Sequence, residues 1–376
     1  MSGDPTQDVA WPASSNEPRE FSTGGEVPSE RGYPQEDPVH PQAGNVSRET
    51  GGSDVSRETR PAWRVRTAAD IAAQDEQFHD HATPLAQAAQ HSVLARSGGL
   101  RRQGVTRPDA TRVMVVANQK GGVGKTTSTV NVAAGLAQLG QKVLVIDLDP
   151  QGNASTALGI DHHRGVPSTY DMLVDGQPLV DVMTECADLP GLWVVPATID
   201  LAGAEIELVS LVAREQRLAR AITAHPLVGT ADAVGEERFD YVFVDCPPSL
   251  GLLTLNALVA GREMFIPIQA EYYALEGLGQ LLETVEMVRQ HLNPQLVVST
   301  ILLTMYDART RLAAGVSDEV RTHFGDQVLK TAVPRSVRVS EAPSYGQTVM
   351  TYDPASAGAL SYLEAAREIA SKGAPA

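Results

Sequence analysis

One glycine-rich stretch constrains the fold of this chain more than any other feature. It reads NQKGGVGKTTSTVNVAAGLAQLG, residues 118–140. The Val-rich run 112–119 before it predicts a buried strand, and Lys125–Leu139 after it predicts a helix. Glycines in such a junction let the backbone curve tightly, so that several N–H groups and the positive end of the helix point at one centre. The stretch therefore predicts a phosphate-binding loop; a turn that only connects strand to helix is the alternative.

The same alternation of strands and helices continues through the rest of the chain. Short apolar runs rich in Val and Ile predict further strands at 142–149, 192–197, 240–247, 263–269 and 296–304. Helical patterns lie at 206–224, 274–292, 312–324 and 355–372. Continuous apolar strands separated by helices indicate a mostly parallel, doubly wound sheet that is covered on both faces. We therefore predict one α/β domain over residues 111–376.

The first 110 residues have a different composition. They are dense in Pro, Gly, Ser, Gln and Glu, and they offer little apolar surface to offset the entropy of ordering. We predict a disordered, low-complexity tail over 1–110. Its Ala-rich segment 67–97 is either a weak helix that forms with a partner or a soluble linker. No basic, apolar leader opens the chain and no apolar run reaches a bilayer's span, so we expect a cytoplasmic protein without membrane insertion.

Charge and cysteine content narrow the function further. The net charge of −16 argues against a protein that coats nucleic acid, so any DNA contact requires a local basic patch. The two cysteines, Cys186 and Cys246, are too few for a disulfide framework or a metal cluster. Cys246 directly follows Asp245 and is expected to be a small buried residue rather than a nucleophile.

Three motifs in order predict an ATPase that uses ATP and Mg²⁺. In the loop, Lys125 would neutralise β- and γ-phosphate charge and the Thr126 hydroxyl would ligate Mg²⁺. Asp147 and Asp149 end one predicted strand and Asp245 ends another, where doubly wound sheets bind ligands. Each aspartate taken alone is equally consistent with a strand end or a turn, since Asp favours both.

The loop departs from the common GxxxxGK[ST] pattern: Gln119 replaces the first glycine, and a second lysine, Lys120, begins the loop. This KGGVGKTT resembles the deviant Walker A signature of the ParA/MinD class of P-loop NTPases. The resemblance implies that Lys120 reaches across a nucleotide-sandwich homodimer to the partner's phosphates; a solvated loop lysine is the alternative. It also implies that Asp149 positions the attacking water and that Asp245 holds Mg²⁺ through a water ligand.

The resemblance also implies a set of site residues. The catalytic residues would be Lys120, Lys125 and Asp149. The segment 334–345 would border the adenine. The nucleotide-binding residues would be Lys120, Gly121, Gly122, Val123, Gly124, Lys125, Thr126, Thr127 and Pro334.

Within the class, the stretches DPQGNAS, DCPPSLGLLTLNAL, EYYALEGL, LTMYDART and PRSVRVSEAPSYGQ resemble ParA/Soj chromosome or plasmid segregation ATPases over residues 112–372. That family implies an ATP-bound dimer that binds double-stranded DNA without sequence preference on the nucleoid, and hydrolysis stimulated by a ParB-type centromere-binding protein. The tail would be a docking segment for a scaffold at the cell pole. A MinD-like positioning ATPase at a membrane or cell pole is the alternative, although the ending LEAAREIASKGAPA is a weak match to a basic membrane helix.

By the same resemblance, Arg309 and Arg338 are the first candidates for DNA contact, with Arg311 and Arg335 beside them. Arg321 and Lys330 are candidate helpers. Such contacts would be directed at phosphates and sensitive to salt. Ordinary solvated arginines are the alternative on an acidic protein.

The pentapeptide VSRET occurs twice in the tail, at 46–50 and 55–59. The palindromic DNA sites of ParB-type proteins contain GTTTCACGTGAAACA, which encodes this pentapeptide in one frame. The repeats are therefore candidate translations of two such sites within the gene. A local duplication and a short partner-binding motif are the alternatives.

Overall fold

The computed structural model describes residues 105–271 and 274–374. The 67–97 segment and both VSRET copies lie outside these residues, as does the predicted tail up to residue 104. The last residues before the predicted domain boundary contact the domain. Arg107 Nε donates to Asp240 Oδ1 at 2.8 Å, and Ala110 forms an isolated antiparallel bridge with Thr230.

The described residues form one eight-stranded sheet. Its strands are β1 (Arg112–Val116), β2 (Val143–Asp147), β3 (Thr184–Glu185), β4 (Leu192–Val195), β5 (Tyr241–Asp245), β6 (Glu263–Gln269), β7 (Val297–Tyr306) and β8 (Val328–Pro334). Their spatial order is β3-β4-β2-β5-β1-β6-β7-β8. Every pairing is parallel except that of the short strand β3 with β4. The predicted mostly parallel α/β sheet is confirmed.

Helices cover both faces of this sheet. They are α1 (Lys125–Gln138), α2 (Asn153–Ala157), α3 (Leu179–Val182), α4 (Leu201–Glu207), α5 (Arg217–Ala224), α6 (Ala231–Val234), α7 (Leu252–Ala260), α8 (Ala274–His291), α9 (Arg311–Phe324), α10 (Val337–Glu341), α11 (Val349–Tyr352) and α12 (Ala357–Lys372). Successive side chains of a strand point to opposite faces. In β1, Val113 and Val115 join one hydrophobic cluster, whereas Met114 and Val116 join the other. Two cores therefore flank the sheet.

One predicted helix was wrong, and one long strand was missed. The predicted helix 206–224 is interrupted: α4 ends at Glu207, Ala213 takes the left-handed conformation at φ 51°, and α5 begins at Arg217. The sequence gives no warning of this break, because no glycine or proline lies within it. Strand β8 was missed because Lys330, which is exposed, and Thr331 interrupt its apolar run.

The C-terminal helix α12 was predicted correctly, and its apolar face is already packed. Gly135 of α1 allows close approach, since a Cβ at this position would lie 3.0 Å from the Cβ of Ala366. Tyr362 and Ile369 of α12 are buried in the same cluster as α1. Among the described residues, no helix has the length and apolar character needed to span a bilayer.

Candidate nucleotide-binding site

The predicted phosphate loop lies between the end of β1 and the start of α1. Gly122 and Gly124 have φ values of 74° and 88°, a conformation that glycine adopts with little strain. Gly124 provides no side-chain cap to α1, so the amides of the first turn keep their hydrogen-bonding capacity. The loop is held from outside, because Thr304 Oγ1 donates to the Val123 carbonyl at 2.7 Å. An uncapped helix N-terminus behind left-handed glycines fits a phosphate group.

The two lysines of the loop have different surroundings. Lys125 is buried, and its Nζ lies 3.3 Å from the carbonyl oxygen of Lys120. Burial lowers the pKa of Lys125, while the charge of Asp245 opposes that shift. Lys120 is partly exposed and forms an ion pair with Glu271, Nζ to Oε2, at 3.0 Å. Lys125 therefore points into the loop, and Lys120 is held at its margin.

Two hydroxyl groups of α1 bind the carboxylate of Asp245. Thr126 Oγ1 donates to Oδ2 at 2.7 Å, and Thr129 Oγ1 donates to Oδ1 at 2.8 Å. Burial raises the pKa of Asp245, and the hydrogen bonds from these two threonines oppose the shift. Thr126 and Asp245 were predicted from sequence, whereas Thr129 was not. Thr129 could have been predicted from its position three residues after Thr126, because that spacing places both side chains on the same face of α1.

The aspartates at the end of β2 lie beside Asp245. Asp147 is the parallel-sheet partner of Asp245 and is fully buried. Burial, followed by the charge of Asp245, raises the pKa of Asp147. Asp149 lines the cleft, and its Oδ1 accepts a hydrogen bond from the Gln151 amide at 3.0 Å. Of the two aspartates, Asp149 is the one that lines the cleft.

The loop opens into a cleft of about 610 Å³ at the carboxyl end of the sheet. Its lining residues are Gly121, Gly122, Gly124, Lys125, Thr126, Thr127, Val130, Asn131, Asp149, Gln151, Asn153, Thr156, Ala157, Pro248, Met305, Ala342, Pro343 and Gln347. The segment predicted to border the adenine contributes Ala342 and Pro343. Pro334 ends β8 and does not line the cleft. Met305, at φ 49°, holds a left-handed conformation that is costly for its residue type, and such strain is common at functional sites.

These residues fit ATP and Mg²⁺. A cleft of this size holds a nucleotide, the uncapped end of α1 and Lys125 fit its phosphates, and the apolar wall at Ala342 and Pro343 fits its base. A carboxylate and a hydroxyl, such as Asp245 and Thr126, are the oxygen ligands that Mg²⁺ prefers.

The candidate DNA-contacting arginines lie in two adjacent connections. Arg309 and Arg311 follow β7, and Arg335 and Arg338 follow β8. The two strand ends are neighbours, since Tyr306 pairs with Pro334. Of the candidate helpers, Arg321 donates through Nη2 to the Lys330 carbonyl at 3.2 Å, so these two lie together between α9 and β8.

Both leading arginines are held by carboxylates. Arg309, 89% exposed, donates to Asp307 through Nε and Nη2 at 2.8 Å each, and this pairing lowers the pKa of Asp307 to about 2. Arg338 pairs with Glu341 at 3.0 Å and with Asp353 at 3.4 Å.

Comparison with known proteins places this site in a family. A family model described as an AAA domain matches residues 111–298. The chain is 50% identical over 262 residues to the sporulation initiation inhibitor protein Soj of Bacillus subtilis, covering 70% of this chain and 99% of that protein. It is 48% identical over 261 residues to the chromosome partitioning protein ParA of Caulobacter vibrioides, covering 69% and 94%.

Solved structures agree with the fold. A cobyrinic acid a,c-diamide synthase from Mycobacterium smegmatis with bound ADP and magnesium matches at a TM-score of 0.56 and 38% identity, covering 68% of this chain and 92% of that one. The septum site-determining protein MinD from Pyrococcus horikoshii with Mg-ADP matches at a TM-score of 0.54 and 24% identity, covering 69% and 96%. With its phosphate loop, its Asp245 site and these relatives, the chain belongs to the ParA/Soj family of ATPases and uses ATP and Mg²⁺.

Proposed function

We propose that this protein is an ATP-driven switch for segregating a chromosome or plasmid on the nucleoid. The ATP-bound form is a homodimer that binds double-stranded DNA without sequence preference, and hydrolysis returns it to the unbound form. The observation that carries the proposal is the cleft itself. Its buried Lys125 and its Thr126–Asp245 pair occur in a chain that is 50% identical to Soj over 262 residues and 48% identical to ParA over 261 residues.

Four residues in or beside the cleft would have distinct tasks in hydrolysis. Lys125 and the amides of α1 balance charge on the phosphates. Thr126 and Asp245 would hold Mg²⁺, which would supply further charge neutralisation at the phosphates. Asp149 orients the water that attacks. Catalysis would then rest on positioning and electrostatic stabilisation. A slow intrinsic rate suits a switch in which hydrolysis sets how long the dimer stays bound to DNA.

Closure of the dimer would bring two loops together at Lys120 and Gly121. Gly121 lines the cleft, and a Cβ placed there would have no heavy atom within 4 Å in the protomer. The open space at this glycine is therefore available to a partner subunit. Lys120 would exchange its ion pair with Glu271 for the partner's phosphates, and an exposed pair of this kind is weak enough to be exchanged.

DNA binding would use the arginines of the β7 and β8 connections. Phosphates would displace Asp307 from Arg309, and Glu341 and Asp353 from Arg338. Arg311 and Arg335 lie on the same two connections and would add further phosphate contacts. A ParB-type protein would stimulate hydrolysis at Asp149, and the tail would reach a polar scaffold.

The ATPase rate tests the proposal when it is measured for the protein alone, with DNA, with a ParB-type partner and with both. We expect the highest rate when both are present, because the stimulated form is the DNA-bound dimer. An unchanged rate in all four conditions would contradict the switch. Co-sedimentation with anionic vesicles instead of DNA in the presence of ATP would favour the MinD-like alternative.

The arginine assignment has its own test. Arg309→Glu with Arg338→Glu should abolish DNA binding and leave nucleotide binding intact. Arg289→Glu is the matched control, because Arg289 also forms an exposed ion pair with a glutamate three residues away, Glu286, but lies near the end of α8. Retained DNA binding by the double variant at low salt would refute the assignment.

A further inference from the structure

Asp147 is a buried carboxylate to which the mechanism above gives no role. It ends β2, is 0% exposed, and lies at the same level of the sheet as Asp245. A fully buried carboxylate is rare unless its oxygens are satisfied by hydrogen-bond donors or a metal. The groups that satisfy it therefore indicate its role.

Both oxygens of Asp147 accept hydrogen bonds from the segment that follows it. Oδ1 accepts from the Asp149 amide at 3.1 Å. Oδ2 accepts from the Ser155 amide at 3.0 Å and from Ser155 Oγ at 2.7 Å. One carboxylate thus joins the residue before the turn to the middle of α2. Ser155 continues the connection, because its Oγ accepts from the Ala197 amide at 3.1 Å, beyond the end of β4.

Asp245 occupies the equivalent position on the neighbouring strand, but different hydrogen-bond donors contact its carboxylate. Its donors are Thr126 and Thr129 on α1, the helix of the phosphate loop. The donors to the Asp147 carboxylate are Asp149 and Ser155, both in the segment that follows it. Although the two carboxylates are sheet partners, Asp245 is directed to the phosphate loop and Asp147 to the turn that carries Asp149.

We propose that Asp147 is a positioning residue for ATP hydrolysis, which holds the 147–155 segment so that Asp149 and α2 face the nucleotide. The inference rests on the proposed role of Asp149. Asn153, Thr156 and Ala157 of α2 line the same cleft as Asp149, so one carboxylate sets the position of both groups.

The turn between these two groups leaves little freedom. The Gly152 amide donates to the Asp149 carbonyl at 2.8 Å. Gly152 itself is left-handed at φ 63°, and a Cβ there would lie 3.0 Å from the Ala197 carbonyl. Loss of the carboxylate releases the two ends of this short turn together. A displacement of about 1 Å in a catalytic group lowers a rate by about 100-fold.

The test compares Asp147→Asn with two other variants in the full chain. An asparagine offers one acceptor oxygen and an amide that faces N–H and O–H donors, so one end of the segment is released. We expect kcat to fall about 10- to 100-fold while KM for ATP changes less than about threefold. Ser155→Ala removes only the hydroxyl and should lower kcat by a smaller factor, about three- to tenfold. Ser155→Ala also tests the proposal if Asp147→Asn does not fold.

Asp240→Asn is the matched control. Asp240 is also 0% exposed and accepts from Arg107, Arg238 and the Lys142 amide, but it precedes β5 at the opposite end of that strand. It should lower the melting temperature and leave kcat per folded molecule unchanged. The inference is overturned if Asp147→Asn and Ser155→Ala behave like Asp240→Asn, or if they raise KM and leave kcat intact. Asp149→Ala separates the two proposals: full activity in that variant would refute the role of Asp149 itself.

Discussion

Thr129→Val tests whether α1 stabilises the charged form of Asp245. The Thr129 hydroxyl is fully buried and donates to Asp245 Oδ1 at 2.8 Å, and it also lies 3.0 Å from the Lys125 carbonyl. Valine keeps the shape of the side chain and removes the donor. A hydrogen bond to a charged, buried acceptor contributes about 1.5–3 kcal/mol, so the free energy of unfolding should fall by that amount at about pH 8.

The loss should depend on pH, and its sign follows from the raised pKa of Asp245. For an acid whose pKa is higher in the folded state, ionisation costs folded-state stability as the pH rises through that pKa. The Thr129 hydrogen bond offsets part of this cost at high pH only. The difference between the variant and wild type should therefore be smaller at about pH 5 than at about pH 8.

Urea unfolding followed by circular dichroism measures both quantities. Thr223→Val is the control: it makes the same chemical change at an exposed position of α5, and it should shift stability by less than about 0.5 kcal/mol. A loss below about 0.5 kcal/mol for Thr129→Val at both pH values would refute the reasoning, because the hydroxyl would then add nothing to the buried carboxylate.

Three further predictions follow from the same structure. Gly121→Val should bind ATP and keep wild-type stability but fail to dimerise in ATP, as measured by analytical ultracentrifugation; a normal ATP-dependent dimer would contradict the sandwich. Arg112→Met should cost about 3–5 kcal/mol in urea unfolding, because it leaves Glu263 buried without its 2.6 Å partner; adding Glu263→Met should recover most of that loss, and no recovery would contradict the ion-pair explanation. Burial raises the pKa of Cys186 to about 12 and that of Cys246 well above its usual value, so neither should react with a thiol reagent until the protein unfolds; labelling of the native protein would contradict this.

The phosphate loop was predictable because its determinants are local. The glycines, Lys125 and Thr126 lie within one short motif, and the strand and helix around it have clear periodicity. The central strands were predictable for the same reason, since burial on both faces gives continuous apolar runs. Edge strand β8 was not predictable in this way, because its exposed Lys330 breaks the pattern.

Contacts between segments that are distant along the chain could not be predicted from the sequence. Lys120 meets Glu271, and Thr304 meets the carbonyl of Val123, across more than a hundred residues. The break at Ala213 likewise has no local cause in the sequence. Residues within one motif also differ in their surroundings: Asp147 and Asp149 look alike in sequence, yet the first accepts hydrogen bonds from Ser155 and the second lines the cleft.

DNA binding measured against nucleotide state tests the central claim most directly. Fluorescence anisotropy with two unrelated duplexes would compare ATP with ADP at several salt concentrations. The proposal predicts tight binding with ATP but not with ADP, and equal affinity for both duplexes. It also predicts a linear fall of log K with log salt concentration. Equal binding with ADP, or no binding with ATP at low salt, would contradict it.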